Sequence, residues 1–193
     1  DVKCWGRDNY GQLGDGGTHS SNSYTTTPST AAIDLGVGRT AVTVSAGGFH
    51  TCAILDNGDL KCWGSDSAGQ LGDGGTTHSS NTYTTTPSTT AIDLGTGRTA
   101  VAVTAGWYHT CAILDNGDMK CWGVDYWGEL GDGGSNTDQG SPVAVSGSNT
   151  WDTSTTTVTW ETHPALPAGM SIWSGTISGT PSVYATNQTY TIY

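Results

Sequence analysis

The fold is decided by a stretch that occurs three times: KCWGRDNYGQLGDGG at residues 3–17, KCWGSDSAGQLGDGG at residues 61–75 and KCWGVDYWGELGDGG at residues 120–134. The copies follow one another with a period of 58–59 residues. Two longer segments between them share the sequences AIDLG, GRT and HTCAILDNGD. Self-similarity at a long fixed period is typical of propellers, solenoids and repeat arrays.

The repeat unit has the pattern of β-strands. Residues 41–45 (AVTVS) and 100–104 (AVAVT) alternate apolar with polar or small side chains, and glycine-rich turns follow at short intervals. No segment shows the apolar spacing of a helix. The pattern therefore predicts an all-β fold of short antiparallel strands, arranged as propeller blades.

Composition alone favours a different answer. The chain of 193 residues has a net charge of −11 and few large aliphatic side chains, which is typical of disordered proteins. However, 8 Trp, 8 Tyr and 5 Cys together with the repeat can form another kind of core. We therefore expect a folded protein.

The cysteines are placed to pair across hairpins. A turn at Asp56-Asn-Gly58 with Gly58 in the left-handed region sets Cys52 opposite Cys62, with α-carbons about 4.5 Å apart, which a disulfide accepts. Cys111 and Cys121 repeat the arrangement. Each bridge would contribute roughly 2–3 kcal/mol of stability. Buried free thiols are the alternative, whereas zinc is disfavoured because the spacing lacks the close cysteine pairs of zinc knuckles.

Disulfides imply an oxidising compartment, so we expect an extracellular or cell-surface protein. Cys4 occupies the second position of a third such pair, and its partner would lie ten residues upstream, before residue 1. The odd cysteine is most simply explained by a segment that precedes this sequence. A free reactive thiol and an intermolecular bridge remain alternatives.

The repeat resembles the regulator-of-chromosome-condensation repeat, and more closely its cysteine-containing variant from secreted prokaryotic proteins. Trp-Gly, Gly-Gln-Leu-Gly and Gly-x-x-His-Thr carry this resemblance over residues 1–145. It implies a seven-bladed propeller with four strands in each blade. About two and a half repeats cannot close such a ring alone, so the remaining blades would come from more of the same polypeptide or from a neighbouring chain.

Residues 146–193 have a different pattern. The sequences LPAGMSI at residues 166–172 and SGTISGTP at residues 174–181 resemble immunoglobulin-like domains of bacterial and archaeal surface proteins. A sandwich of this class usually needs about 100 residues. The segment therefore predicts part of a β-sandwich with an open edge that another strand can complete.

Aromatic residues differ between copies of an otherwise constant repeat. They are Tyr10, Trp107, Tyr108, Tyr126 and Trp127. Variation on a rigid scaffold is typical of a binding or assembly face. Packing between neighbouring blades explains the same pattern equally well.

Other candidate sites have ordinary structural interpretations. His50 and His109 fit hydrogen-bonded structural roles better than catalysis or metal binding, and His19 and His78 fall in Ser/Thr-rich loops. Aspartates beside glycines, such as Asp56, Asp59, Asp66 and Asp73, could hold calcium with turn carbonyls, although no complete loop signature is present. We otherwise expect no metal and no cofactor, and the aspartates equally fit turn formation. Possible glycosylation sites are the sequon at Asn187 and the threonines Thr25, Thr26, Thr27, Thr84, Thr85 and Thr86.

Several functional classes are disfavoured. No apolar run reaches the length of a membrane span. The six basic residues fall almost wholly at repeat-equivalent places and form no patch for nucleic acid. No nucleophile elbow, zinc-protease helix or phosphate loop occurs, so we expect no enzyme.

The sequence favours a non-enzymatic extracellular protein. Its leading interpretation is a structural or adhesive subunit of a cell surface or filament, which assembles with copies of itself through β-strand contacts. Glycans or another surface protein are further candidate partners. The alternatives are a soluble secreted protein-recognition module, such as a propeller-type inhibitor, and a carbohydrate-binding module.

Overall fold

The computed structural model describes residues 1–17, 20–75, 82–134 and 136–147, together with the backbone of four short strands between residues 162 and 192. The chain divides into two compact units, Asp1–Thr153 and Ser154–Tyr193. The first unit contains β1 Gly6–Arg7, β2 Tyr24–Thr25, β3 Ala41–Ala46, β4 His50–Leu55, β5 Leu60–Ser65, β6 Tyr83–Thr84, β7 Ala100–Ala105, β8 His109–Leu114, β9 Met119–Gly123 and β10 Gln139–Ala144. The second contains β11 Thr162–His163, β12 Met170–Trp173, β13 Thr176–Gly179 and β14 Thr191–Ile192.

The first unit is built of antiparallel sheets that follow the sequence repeat. The middle sheet has the order β3-β4-β5-β6 and the last sheet the order β7-β8-β9-β10, each a simple meander. A ladder of β1 and β2 precedes them and corresponds to the second half of a repeat, β5 and β6. The predicted all-β fold is confirmed.

The hairpin between β4 and β5 has the register that its turn predicts. Gly58 has a φ of +82°, and the amide of Leu55 donates to the carbonyl of Asp59 at 2.8 Å. Cys52 therefore lies opposite Cys62, with α-carbons 4.1 Å apart and a disulfide between them. Cys111 and Cys121 are joined in the same way in the last sheet, also with α-carbons 4.1 Å apart.

Apolar side chains fill the spaces between consecutive repeats. One cluster joins Ile33 and Leu35, which follow the first ladder, to Ala53, Leu55 and Trp63 of the middle sheet. The second cluster joins Leu71 and Leu94 to Ala112, Leu114 and Trp122 of the last sheet, with the Cys52–Cys62 hairpin beside them. The core of this unit therefore lies at the contacts between its repeats.

A tryptophan and a glycine form one close contact between repeats. Trp63 is fully buried, and its indole Nε1 donates to the carbonyl of Gln12 in the preceding repeat at 3.1 Å. A β-carbon on Gly14 would lie 2.5 Å from that Nε1, so only glycine fits there. Trp122 repeats the arrangement with the Gln70 carbonyl at 2.9 Å and with Gly72. Lys-Cys-Trp-Gly and Gly-Gln-Leu-Gly are thus two halves of one contact between repeats.

A threonine and a histidine extend this contact. Thr110 Oγ1 donates to the Gln70 carbonyl at 2.8 Å, so it accepts a hydrogen bond from His50 Nε2, which lies 2.7 Å away. Thr51 makes the equivalent bond to the Gln12 carbonyl at 2.9 Å. His50 therefore has the hydrogen-bonded structural role that its sequence context favours. Burial lowers the pKa of His50 to about 4, and the neighbouring His109 adds to the effect.

In the second unit, two strand pairs are described. Strand β11 pairs with β14, and β12 pairs with β13, both antiparallel. The strands Met170–Trp173 and Thr176–Gly179, which pair, overlap the two sequences that resemble an immunoglobulin-like domain. Two separate ladders do not establish a sandwich, so that assignment stays a prediction.

The contact between glycine and tryptophan predicts a large stability difference between two similar substitutions. Gly72 and Gly97 have nearly equal φ values of +72° and +69°, but a β-carbon on Gly97 would meet nothing within 4 Å. Gly97→Ala should cost about 1–2 kcal/mol of unfolding free energy from backbone strain alone. Gly72→Ala should cost about 1–3 kcal/mol more, because it pushes against Trp122. Urea denaturation of both variants measures the difference, and equal losses would contradict this role of Gly72.

The buried histidine predicts a dependence of stability on pH. An unfolded histidine titrates near pH 6.5, whereas His50 in the folded protein has a pKa of about 4. Between these values the unfolded state binds a proton that the folded state does not. The free energy of unfolding therefore has its full value, as far as His50 determines it, above pH 6.5. It falls by up to about 3 kcal/mol as the pH drops towards 4.

Denaturation curves from pH 7 to 4 measure this dependence against the variant His50→Gln. The glutamine keeps a side-chain donor near Thr110 but does not titrate. The free energy of unfolding of the wild type should fall more steeply than that of the variant. Parallel profiles would show that His50 does not titrate in this way.

Candidate functional site

The aromatic residues that vary between repeats lie at one end of the sheets. In an antiparallel meander, the β3–β4 and β7–β8 turns share an end with the loops that follow β1, β5 and β9. This end carries what we call the aromatic surface: Tyr10, Phe49, Trp107, Tyr108, Tyr126 and Trp127. Loops held on a rigid scaffold are common sites of recognition.

Phe49 is the centre of a cluster that crosses three repeats. Its ring lies 5.6 Å from that of Tyr10 and 6.0 Å from that of Trp107, both edge to face. It stacks on Tyr108 at 5.0 Å between ring centroids. These spacings are those at which aromatic pairs attract beyond simple burial. The cluster therefore braces the turns and leaves part of each ring at the surface.

A cation already lies on this cluster. The Arg7 guanidinium lies 5.8 Å from the centroid of Phe49, within the range of a cation–π contact. Arg7 is exposed and follows the first Trp-Gly pair of the repeat. The aromatic surface thus accepts a guanidinium within its own chain.

Three aromatic side chains of this surface are largely exposed: Trp107 at the edge of the Phe49 cluster, and Tyr126 and Trp127 outside it. Trp107 is 72% exposed, Tyr126 is 68% exposed and Trp127 is 81% exposed. Tyr126 and Trp127 also contact each other edge to face at 4.6 Å. Large apolar side chains that are exposed as a group mark interaction surfaces, whereas single exposed apolar side chains are common on any protein.

The loops that present these residues have a fixed hydrogen-bonded frame. Asp125 Oδ1 accepts from the amide of Leu130 at 3.0 Å, and Glu129 Oε2 accepts from the amide of Trp127 at 2.7 Å. Asp66 and Gln70 make the same two bonds in the middle repeat, to Leu71 and Ala68. The side chains at positions 126–127 can therefore vary without changing the loop.

Most of the aspartates considered for calcium form turns here. Asp73 Oδ1 accepts from the amide of Gly75 at 2.9 Å, and Asp59 binds Asn57 within its hairpin turn. Asp56 forms an ion pair with Arg39 at 3.5 Å. Across the described ranges, no three His, Cys, Asp or Glu side chains form a group that could hold a metal ion. The geometry gives the aspartates a structural use, and the calcium hypothesis gains no ligand set from it.

The other predicted residues lie apart from the aromatic surface. Cys4 is half-buried and unpaired, and burial together with the Asp8 carboxylate raises the pKa of its thiol. Thr25, Thr26, Thr27 and Thr86 are exposed and Thr85 is half-buried, whereas the hydroxyl oxygen of Thr84 is buried without a hydrogen-bond partner, so a sugar could not reach it. His19, His78 and Asn187 lie outside the described residues.

Two residues of this surface were missed by sequence reasoning. Phe49 aligns with Tyr108 but follows Gly48, so it lacks the second aromatic residue of the Trp107-Tyr108 pair. Arg7 is the basic residue that has no counterpart in the other repeats. A signal was present for both, because each is the non-repeated residue of its type at a loop boundary. Their contact joins residues 42 positions apart and depends on how neighbouring sheets face each other.

No helix in the part of the chain that the structure describes is long and apolar enough to cross a membrane.

Residues 2–54, and also 41–70 and 100–126, match the regulator of chromosome condensation (RCC1) repeat. Those ranges contain Trp63 and Trp122, and residues 2–54 include the Gly-Gln-Leu-Gly sequence at residues 11–14 that receives Trp63.

Curated relatives include the ultraviolet-B receptor UVR8 of Arabidopsis thaliana, which is 32% identical over 133 residues, 69% of this chain and 27% of the relative. The human E3 ubiquitin-protein ligase HERC2 is 31% identical over 137 residues, 70% of this chain and 3% of the relative. The chain therefore spans about a quarter or less of the length of these two proteins.

Solved structures share the fold of the first unit. Prp20p of Saccharomyces cerevisiae superposes with a TM-score of 0.64 at 21% identity, over 75% of this chain and 34% of its own. Human WBSCR16 superposes with a TM-score of 0.62 at 24% identity, over 75% of this chain and 35% of its own. The four-stranded sheets are thus blades of the β-propeller type seen in these proteins, and the chain carries RCC1 repeats between residues 2 and 126.

Proposed function

We propose that this chain is a non-enzymatic protein-binding module that presents the aromatic surface to its partner. The observation that carries the proposal is the exposure of Trp107, Tyr126 and Trp127 on hydrogen-bonded loops at one end of the blades. Exposed tryptophan and tyrosine are the residues that most often dominate the binding energy of protein interfaces.

The relatives support a binding role. The structure of Prp20p is described together with its binding to Gsp1p and histones, and a further structure shows Kap60 bound to yeast RCC1. UVR8 is a receptor, whereas HERC2 is a ubiquitin ligase, so RCC1 repeats also occur within enzymes. In this chain the repeat histidine His50 is buried in a hydrogen bond between repeats, which supports the non-enzymatic assignment.

We also propose that the module works outside the cell or at its surface. Two disulfides within the blade hairpins support this location, because such bonds persist in oxidising compartments. Cys52, Cys62 and Cys121 are buried and Cys111 is half-buried, which suits a permanent structural link. Glycosylation of the exposed threonines would accompany this location and remains a prediction.

The binding role predicts which substitutions abolish partner capture. Trp107→Ala combined with Trp127→Ala removes two exposed side chains without opening the core, so folding should be retained while capture falls about tenfold or more. Immobilised protein is incubated with extract and culture supernatant of the source organism, and retained proteins are quantified by mass spectrometry.

Val37→Ala is the control, since Val37 is also exposed but lies in the turn beside Arg39, which pairs with Asp56 away from the aromatic surface. A partner that is retained by the wild type and by Val37→Ala, but lost with the double variant, supports the proposal. Retention unchanged in the double variant would reject this surface as the binding site. Far-ultraviolet circular dichroism and a denaturation curve establish that the variants are folded.

A second candidate function, assembly with copies of the same chain, is favoured by Trp5 itself. Trp63 and Trp122 are fully buried by the preceding repeat, whereas Trp5 at the same repeat position is 60% exposed. The side of the first ladder is therefore an apolar edge of the kind that a further blade covers, whether from the same polypeptide or from another copy. The first ladder and the last sheet of this unit differ, so a contact between copies through them would be head to tail.

Electron microscopy and sedimentation of unreduced protein test this assembly. If copies associate through this edge, fibres or oligomers should form and Trp5→Ser should disperse them, while Trp107→Ala should not. Monomeric wild-type protein at all accessible concentrations would reject self-assembly and leave the binding module as the function.

A further inference from the structure

The charges around the aromatic surface are mostly negative. Two carboxylates lie in the loop that presents Tyr126 and Trp127. Glu129 is half-buried and accepts from the amide of Trp127 at 2.7 Å, and the exposed Asp138 accepts from the amide of Asp125 at 3.0 Å. The whole chain adds to this field with its net charge of −11.

The cations of the described chain are mostly engaged elsewhere. Arg39 and Arg98 form ion pairs with Asp56 and Asp115, both at 3.5 Å, at the opposite end of the blades where the β4–β5 and β8–β9 turns lie. Lys3 and Lys61 donate to main-chain carbonyls, of Thr30 and Leu35. Among the described residues, Arg7 is the cation that lies on the aromatic surface, and it covers Phe49.

Among the described residues, no arginine or lysine stacks on Trp107 or Trp127, whereas Arg7 stacks on Phe49. Indole is the best aromatic partner for a cation, and a planar guanidinium stacks on it better than an ammonium does. Neighbouring carboxylates strengthen such a site, because a guanidinium can stack on the ring and form ion pairs at its edge. Trp107 and Trp127 thus offer rings, and Glu129 and Asp138 offer charge, to arginines from outside the chain.

We propose that the aromatic surface binds an arginine-rich segment of a partner protein, with guanidinium groups stacked on Trp107 and Trp127. The proposal rests on the binding role assigned above and adds the chemistry of the partner. Electrostatic steering by the net charge of −11 would speed the encounter, and the aromatic rings would provide selectivity for arginine over lysine.

Fluorescence anisotropy with three labelled decapeptides tests the proposal on the full chain. The peptides alternate glycine with arginine, with lysine or with glutamate. We expect the arginine peptide to bind about three- to tenfold more tightly than the lysine peptide, which has equal charge, and the glutamate peptide not to bind. Binding should weaken as salt is raised, because part of the attraction is between exposed charges.

Variants separate the two contributions. Trp107→Ala and Trp127→Ala should each weaken arginine-peptide binding about two- to tenfold and reduce the preference over lysine. Val37→Ala, in the turn beside Arg39 at the opposite end, should change neither. Asp138→Asn keeps an oxygen that can accept from the Asp125 amide, so it should weaken both basic peptides similarly without disturbing the loop.

Equal binding of arginine and lysine peptides, unaffected by the tryptophan substitutions, would overturn the proposal, as would equal binding of the glutamate peptide. These results do not decide the binding role itself. A natural partner lost with the Trp107→Ala, Trp127→Ala double variant but lacking a basic segment would uphold the binding module and reject the arginine chemistry. If every variant retained the partner, the aromatic surface would be rejected as a binding site, and the arginine proposal would fall with it.

Discussion

The contact between a tryptophan of one repeat and a glycine of the repeat before it is the constraint on which the first unit depends. Trp63 and Trp122 can be buried only because Gly14 and Gly72 have no side chain. The indole would lose a hydrogen-bonding partner on burial, and the Gln12 and Gln70 carbonyls supply it. Since each repeat contributes both halves of this contact, a single repeat cannot complete its own core, as is general for repeat proteins.

This constraint also explains where variation is allowed. In each loop, the sequence Gly-Gln-Leu-Gly or Gly-Glu-Leu-Gly has the shape that receives the tryptophan of a following repeat. Asp66 and Asp125 fix this loop by accepting from the amides of Leu71 and Leu130. The two positions after that aspartate make no part of the contact. Ser67-Ala68 and Tyr126-Trp127 therefore occupy the same loop geometry with different surfaces. Recognition can change there at little cost in stability.

Sequence reasoning was sufficient for features set within one hairpin. Asp-Asn-Gly and the cysteine spacing determine the register of β4 and β5, because only local geometry is involved. Contacts between repeats were less accessible. That Thr110 would accept from His50, or that Phe49 would join Tyr10 to Tyr108, depends on the angle between sheets, which no local pattern encodes. The histidine's structural use was predictable in kind, while its partner was not.

The same geometry links the aromatic surface to the number of repeats. Each repeat places one turn before its second strand and one loop after its third strand at the same end of the blades. Every further repeat would therefore extend the surface by two variable segments at a fixed spacing, while its cations remain engaged at the opposite end, as Arg39 and Arg98 are here. A partner with several weakly binding side chains would gain affinity through simultaneous contacts with neighbouring loops, because later contacts are made at high effective concentration. An extended, flexible segment satisfies this geometry better than a compact domain, since its side chains can adjust to the spacing of the blades.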